Sequence, residues 1–171
     1  MPHVDQIVIA CLALGLLGCA AFAWRAGARR GRFAALLFAA FYGWTLVVML
    51  AAHCADVTYA SVLHTPSFGD QRPMTYDWRT YSLLLFGAIL IRQGVRSMAA
   101  ARAMARGDDA ARGEALRATG LVLALVLPLI PVHAFFGWLI SGASALTLLV
   151  VGLAGRGAVR APATELAPSA A

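Results

Sequence analysis

Long uncharged runs separated by short polar segments dominate the chain. The first run extends from Ile7 to Trp24, the second from Phe33 to Ala52, and the last from Ala118 to Gly155. A helix rises about 1.5 Å per residue, so about twenty apolar residues cross the roughly 30 Å hydrocarbon core of a bilayer. The pattern therefore predicts an all-α fold, an integral membrane bundle of spanning helices.

The last run is nearly twice as long as one span. Pro128 and Pro131 interrupt it near the middle, where a helix cannot continue undisturbed. We therefore predict two helices, at 118–132 and 136–155, joined by a tight turn around His133. A single span with a buried tail is the alternative, which would leave four spans instead of five.

One further span has only a short uncharged core, from Thr80 to Ile91. Aromatic side chains can lie at the membrane surface, and arginines can extend their head groups toward water. The predicted span, residues 76–97, is completed by Tyr76, Asp77, Trp78 and Arg79 at one end and by Arg92 and Arg96 at the other. The same polar side chains are candidates for contact with lipid or with a partner protein.

The five predicted spans lie within one transmembrane domain, residues 1–155, followed by a disordered tail at 156–171. The spans are 7–24, 33–54, 76–97, 118–132 and 136–155. Between the third and fourth, a basic helical hairpin carrying Arg102 and Arg106 is broken at Gly107 and lies near the lipid head groups. The arginines follow the first run, so we expect an uncleaved anchor; cleavage after Ala23 is the alternative.

The distribution of arginine predicts the orientation of the chain. All fourteen basic residues are arginine, and the five-span scheme puts all of them except Arg72 and Arg79 on one side. Because basic residues concentrate on the cytoplasmic side, we expect an N-terminus outside and a C-terminus in the cytoplasm. The absence of lysine and the abundance of Ala and Gly are typical of a GC-rich bacterium, so we expect a multi-pass protein of the bacterial inner membrane.

The composition also limits the partners of the protein. Of its 171 residues, 61% are hydrophobic and 13% are charged, whereas soluble domains carry about 25% charged residues. Arginines beside apolar runs are suited to anionic lipid head groups. The basic charge is therefore not interpreted as a sign of nucleic-acid binding.

The histidines gather at the predicted outer face. His53 and His133 lie at outer helix ends and could hold a haem b, while His53, Cys54, Asp56 and His64 combine imidazole, thiol and carboxylate groups that suit copper. No established ligand spacing such as CxxC or HExxH is present. The alternative is that these side chains only satisfy helix ends and loops.

Small residues recur at four-residue spacing in three of the predicted spans, which allows helix backbones to approach closely. They are Cys11, Gly15, Cys19 and Ala23 in the first span, Ala35, Ala39 and Gly43 in the second, and Gly137, Ser141 and Ala145 in the fifth. Packing within the bundle and docking on another protein are the two interpretations.

These patterns favour a non-catalytic accessory or assembly subunit of a larger membrane complex. The predicted spans contain no Asp, Glu or His at mid-membrane, where proton-coupled transporters usually place a titrating group. No catalytic motif is present. The alternative function is a redox or metal-handling membrane protein that uses the outer-face histidines, and a small transporter would require a water-filled cavity reaching mid-membrane.

Overall fold

The computed structural model describes residues 4–26, 30–63, 78–131 and 134–154, with their side chains except at 4–5, 30–31, 56–63, 78–83 and 135–136. The elements in these ranges are α1 (Val4–Arg25), α2 (Arg30–Leu63), α3 (Trp78–Ala105), α4 (Ala110–Val126), a 3-10 turn (Leu127–Leu129) and α5 (Ala134–Ala154). The predicted all-α class is confirmed. The predicted tail, residues 156–171, lies outside the described residues.

Four of the helices are long and apolar enough to cross a membrane. The candidate spans are Gln6–Arg25 in α1, Arg32–Ala55 in α2, Leu84–Ala105 in α3 and Gly137–Ala154 in α5. The remaining helix, α4, has 17 residues and carries its charged side chains in the first half. The described residues therefore contain four membrane-type helices and a shorter fifth that packs beside them.

The connection between α3 and α4 is a tight turn at Gly107. Its φ of 98° lies in the left-handed region that favours glycine. The Gly107 and Asp108 amides donate to the carbonyls of Met104 (3.0 Å) and Ala103 (3.2 Å), a Schellman motif that ends α3. The Asp108 carboxylate accepts from the Ala110 amide at 3.0 Å. The predicted break at Gly107 is confirmed.

The start of α4 differs from the sequence prediction. We expected the fourth helix to begin at residue 118 after a separate amphiphilic segment, but α4 begins at Ala110 and continues without interruption to Val126. The predicted start was the first residue of the uncharged run. The helix instead begins at the turn, where the Asp108 carboxylate accepts from the Ala110 amide. The division of the last apolar run near its prolines is confirmed, since a 3-10 turn follows Val126 and α5 begins at Ala134.

The helices α2, α3, α4 and α5 form a ring in which each contacts its two neighbours, and α1 packs on the outside of α2. Contacts between neighbouring helices give their directions: Gly43 meets Gly94 and the Ala39 carbonyl accepts from Ser97, so α2 and α3 run in opposite directions. Arg112, near the start of α4, donates to carbonyls near the end of α5. Short connections join the end of α1 to the start of α2 and the end of α3 to the start of α4. Helices α1, α3 and α5 therefore finish at the end where α2 and α4 begin. We call this the arginine end, because Arg25, Arg32, Arg102, Arg106 and Arg112 all lie in its turns.

A close backbone contact joins α2 and α3 at a pair of glycines. A Cβ atom built on Gly43 would lie 2.4 Å from the carbonyl oxygen of Gly94, and one built on Gly94 would lie 2.8 Å from the carbonyl oxygen of Gly43. Only glycine allows two backbones this close. The contact therefore sets the axial register of α3 against α2.

Two apolar clusters fill the ring on either side of this level. The cluster nearer the arginine end consists mainly of alanines, with Leu36 and Met104, whereas the other is built from larger side chains such as Leu50, Leu90 and Val122. Alanines let the helices approach closely at one end. In lipid, where apolar burial contributes little, close van der Waals packing is a main source of helix association.

Candidate functional site

The predicted metal or haem site lies mostly outside the described residues. The second helix was predicted to end at residue 54, but α2 continues to Leu63, so His53 does not lie at a helix end. His53 and Cys54 are half-buried, and the Cys54 sulfur lies 3.5 Å from where a Cβ on Gly87 would be. His64, Tyr76, Asp77 and His133 lie outside the described residues, as do the side chains of Asp56, Trp78 and Arg79. In the described part of the chain, no group of three or more His, Cys, Asp or Glu side chains could hold a metal ion. Haem and copper binding stay predictions.

The small-residue stripes have different outcomes. In α2, Ala35, Ala39 and Gly43 are buried inside the bundle, and in α1 the stripe faces α2, with Ala23 fully buried. In α5, Ser141 is buried whereas Ala145 is exposed. The first two stripes therefore serve packing within this chain.

Two arginines donate hydrogen bonds to backbone carbonyls near helix ends. Arg112 in α4 donates from Nε to the Val151 carbonyl (2.9 Å) and from Nη2 to the Gly152 carbonyl (2.6 Å), and so satisfies the end of α5. Arg32 in α2 donates to the Met104 carbonyl near the end of α3. In the sequence, both arginines contribute only to the charge distribution that predicts the orientation of the chain. No spacing in the sequence links either one to its carbonyl partner.

A charged group joins α3 to α4. Arg96 Nη2 lies 2.7 Å from a carboxylate oxygen of Glu114, and the other oxygen of Glu114 lies 3.4 Å from Arg117 Nη1. The side chains of Arg96 and Glu114 are 45% and 47% exposed. The carboxylate therefore compensates the charge of Arg96, at the edge between the two helices.

Arg92 lies near the middle of the membrane-type part of the bundle. Gly43, which contacts Gly94, lies near the middle of the uncharged run Phe33–Ala52, ten residues from its start and nine from its end. Arg92 precedes Gly94 by two residues, which is an axial distance of about 3 Å. Its Cα therefore lies close to the level of the centre of this apolar run, about 18 Å along the axis from the level of Phe33 at the arginine end.

This position differs from the sequence prediction, which put Arg92 and Arg96 at the inner end of a span at 76–97. An arginine near a helix end can extend its head group to the interface, but one at the level of Gly43 is too far from it. Arg92 is exposed, and among the described residues no carboxylate pairs with it. A charged group thus projects from the surface of the bundle at mid-span.

Arg92 is also at the centre of the exposed side of α3. The exposed residues around it recur at helical spacing, and those that we group as the Arg92 face are Leu85, Ala88, Ile89, Arg92, Val95 and Ala99. Leu85 is 74% exposed and Val95 is 50% exposed. The buried residues of the same helix, such as Leu90 and Ala101, lie on the opposite side against α2. Arg96, four residues after Arg92 and also exposed, lies on this side of α3 as well but pairs with Glu114. The face is therefore apolar except for two guanidinium groups, and among the described residues only that of Arg92 has no carboxylate partner. Its alanines leave room beside Arg92.

Comparison with protein-family models, with curated proteins and with solved structures finds no match to this chain.

Proposed function

We propose that the protein is a non-catalytic accessory or assembly subunit of a larger membrane-protein complex, and that it binds its partner through the Arg92 face. The observation that carries the proposal is the exposed guanidinium at mid-span. An arginine at the centre of a spanning helix costs about 2.5–3.5 kcal/mol on insertion scales, and such groups generally face another protein or a water-filled cavity. A partner that covers Arg92 removes this cost.

The chemistry of the face defines the partner. A transmembrane helix that carries an Asp or Glu opposite Arg92 would form a charge-assisted, bidentate pair in a low dielectric. Ala88 and Ala99 flank the arginine and allow a helix backbone to approach closely, as small residues do at membrane interfaces. We therefore propose an acidic membrane helix as the partner.

The proposal includes the bacterial inner membrane as the location, with the arginine end at the cytoplasmic face. Arg25, Arg32 and Arg102 come from three different helices and lie at one end of the bundle. Basic residues near the ends of membrane segments concentrate on the cytoplasmic side. A reporter fused after α5 should therefore be active in the cytoplasm, and activity outside would contradict this orientation.

Affinity purification in a mild detergent tests the binding face. Arg92→Leu removes the charge and Ala88→Trp obstructs the face, so both variants should lose the co-purifying membrane chain. Arg117→Leu and Ala145→Trp are matched controls, because both positions are exposed but lie on α4 and α5. The controls should retain the partner.

Equal recovery of the partner with all four variants would contradict the Arg92 face. Once the partner is identified, replacing its carboxylate should reproduce the loss seen with Arg92→Leu. A Soret band or stoichiometric copper in the purified protein would instead overturn the proposal of a non-catalytic subunit and favour the histidine-based alternative.

A further inference from the structure

A groove separates α1 from α3 along one side of α2. Its volume is about 540 Å³, and its walls include Gly15, Cys19, Trp44 and Met98. The indole of Trp44 closes the groove at one end, since its Nε1 donates to the Cys11 carbonyl at 3.0 Å. At the other end the lining includes Arg102. The groove is thus apolar along its length and cationic at one end.

The groove runs along the bundle axis toward the arginine end. On α1 it extends from Cys11 to Phe22, eleven residues or about 16 Å of helix. Arg102 lies three residues before the end of α3, which puts it at the level of the last turns of α1. The cationic end is therefore near the membrane surface and the apolar end reaches toward the middle.

The groove opens to the lipid. Gly18 lies in its lining, is exposed and has no atom within 4 Å of where a Cβ would be. Neighbouring side chains of α1 point outward, with Leu14 and Leu17 68% and 67% exposed. Among the described residues, Arg102 has no carboxylate partner. A molecule can thus enter sideways from the bilayer and find an uncompensated guanidinium at the interface.

The chemistry of the groove distinguishes between possible occupants. Its lining is apolar except at Arg102, which has no carboxylate partner among the described residues, so the occupant should combine an apolar part with an anionic group. Lipid supplies hydrocarbon chains together with anionic head groups at the level of Arg102.

We infer that this groove binds one anionic phospholipid, with an acyl chain lying between α1 and α3 and the phosphate group held by Arg102. The guanidinium donates two parallel hydrogen bonds to phosphate oxygens, which is the geometry that arginine provides for phosphate. The site selects anionic lipid because Arg102 remains uncompensated by the protein. Arg102 lies about 15 Å nearer the arginine end than Arg92, and the inference does not depend on the proposed function.

Native mass spectrometry of the purified full chain, with added phosphatidylglycerol or phosphatidylethanolamine, tests the site. The wild-type protein should retain one phosphatidylglycerol per chain and bind phosphatidylethanolamine more weakly. Arg102→Gln should lower phosphatidylglycerol affinity by about tenfold or more and remove the preference between the two lipids. Arg117→Gln, which changes another exposed arginine, should leave both unchanged.

Blocking the groove gives a second, independent test. Gly18→Phe places a ring in the groove and should abolish retention of both lipids. Gly142→Phe is the matched control, because the Cβ of residue 142 would also meet no atom within 4 Å but lies on α5. Retention of phosphatidylglycerol by Gly18→Phe at the wild-type level would overturn the inference, as would an unchanged lipid preference in Arg102→Gln.

Fluorescence of Trp44 keeps the inference testable if Gly18→Phe does not fold. In a chain whose other three tryptophans are replaced by Phe, phosphatidylglycerol with brominated acyl chains should quench Trp44 more strongly than the phosphatidylethanolamine equivalent. Arg102→Gln should remove that difference, and equal quenching by both lipids in the unmodified groove would overturn the inference. Loss of a co-purifying protein from Gly18→Phe without any change in bound lipid would also overturn it, by showing a partner helix in the groove.

Discussion

Replacing Arg92 with leucine should make the membrane insertion of α3 markedly more favourable. The prediction depends on the register set by the Gly43 and Gly94 contact, which brings Arg92 to mid-span. In the isolated chain its guanidinium is exposed on the surface of the bundle. Leucine at the same position is apolar, so the variant removes a charge from the least polar part of the bilayer.

The size of the expected shift in insertion free energy follows from the depth of Arg92 in the membrane. On insertion scales, arginine at the centre of a spanning helix contributes about +2.5 to +3.5 kcal/mol and leucine about −0.3 to −0.6 kcal/mol. Arg92→Leu should therefore shift the apparent insertion free energy by about 3–4 kcal/mol, a change of roughly two to three orders of magnitude in the ratio of inserted to non-inserted chain. Arg102→Leu should shift it by about 1 kcal/mol or less, because charges near the interface cost little.

The assay uses glycosylation acceptor sites engineered on both sides of α3 in the full chain, so that the glycosylation pattern reports the inserted fraction. A large shift for Arg92→Leu with a small one for Arg102→Leu confirms the register. Small shifts of equal size for both variants would refute the reasoning. They would mean that Arg92 lies near the membrane surface, where hydropathy alone put it.

Three further predictions concern the packing of the bundle, measured by equilibrium unfolding in mixed micelles. Gly43→Val should destabilise the fold by at least about 1–3 kcal/mol, because its Cβ would overlap the carbonyl of Gly94, while Gly142→Val on the open surface should be nearly neutral. Arg112→Gln should cost about 1–3 kcal/mol, since it removes two hydrogen bonds to the end of α5. Tyr42→Phe should cost about 0.6 kcal/mol and no more than about 1.7 kcal/mol, through loss of a 2.7 Å hydrogen bond to a serine of α5.

Each of these predictions has a distinct contrary result. A wild-type unfolding midpoint for Gly43→Val would mean that α2 and α3 do not approach at this level. An unaffected Arg112→Gln would mean that water, rather than arginine, satisfies the last carbonyls of α5. A larger loss for Tyr42→Phe than for Arg112→Gln would reverse the expected order, in which a charged donor with two bonds contributes more than one neutral hydroxyl.

The helices themselves could be predicted from hydropathy and from chain-breaking residues. Length and the absence of charge identify α1 and α2, while Pro128 and Pro131 divide the last run where the structure has a 3-10 turn. Gly107 marks the break between α3 and α4 because only a residue tolerant of positive φ fits there. These are local properties, and a single sequence displays them.

The register of α3 could not be predicted in the same way. Hydropathy centres a span on the uncharged core from Thr80 to Ile91 and so puts Arg92 at its edge. The actual register is set by contacts with α2, through Gly94 and through the hydrogen bond from Ser97 to the Ala39 carbonyl at 2.8 Å. Such pairing between distant segments depends on tertiary packing, which cannot be predicted from the polarity of one segment.

For the same reason, the different surroundings of Arg92 and Arg102 could not be predicted. From the sequence, both are residues for contact with lipid or a partner, and they form one class. Only the packing of α1 and α2 against α3 separates them, since Arg102 lines a groove at the arginine end and Arg92 lies on an open face at mid-span. Depth, more than residue type, decides what each guanidinium can bind.

In the proposed assembly, the cost of exposing Arg92 becomes a source of selectivity. An apolar helix that packed on this face would bury the guanidinium without a partner and gain little, whereas a helix with a carboxylate at the same depth would compensate it. Arg102 is ten residues further along α3, which turns it by roughly 80° around the helix axis from Arg92. Arg102 is also about 15 Å nearer the arginine end, so a carboxylate that meets Arg92 and a phosphate that meets Arg102 bind α3 at different depths.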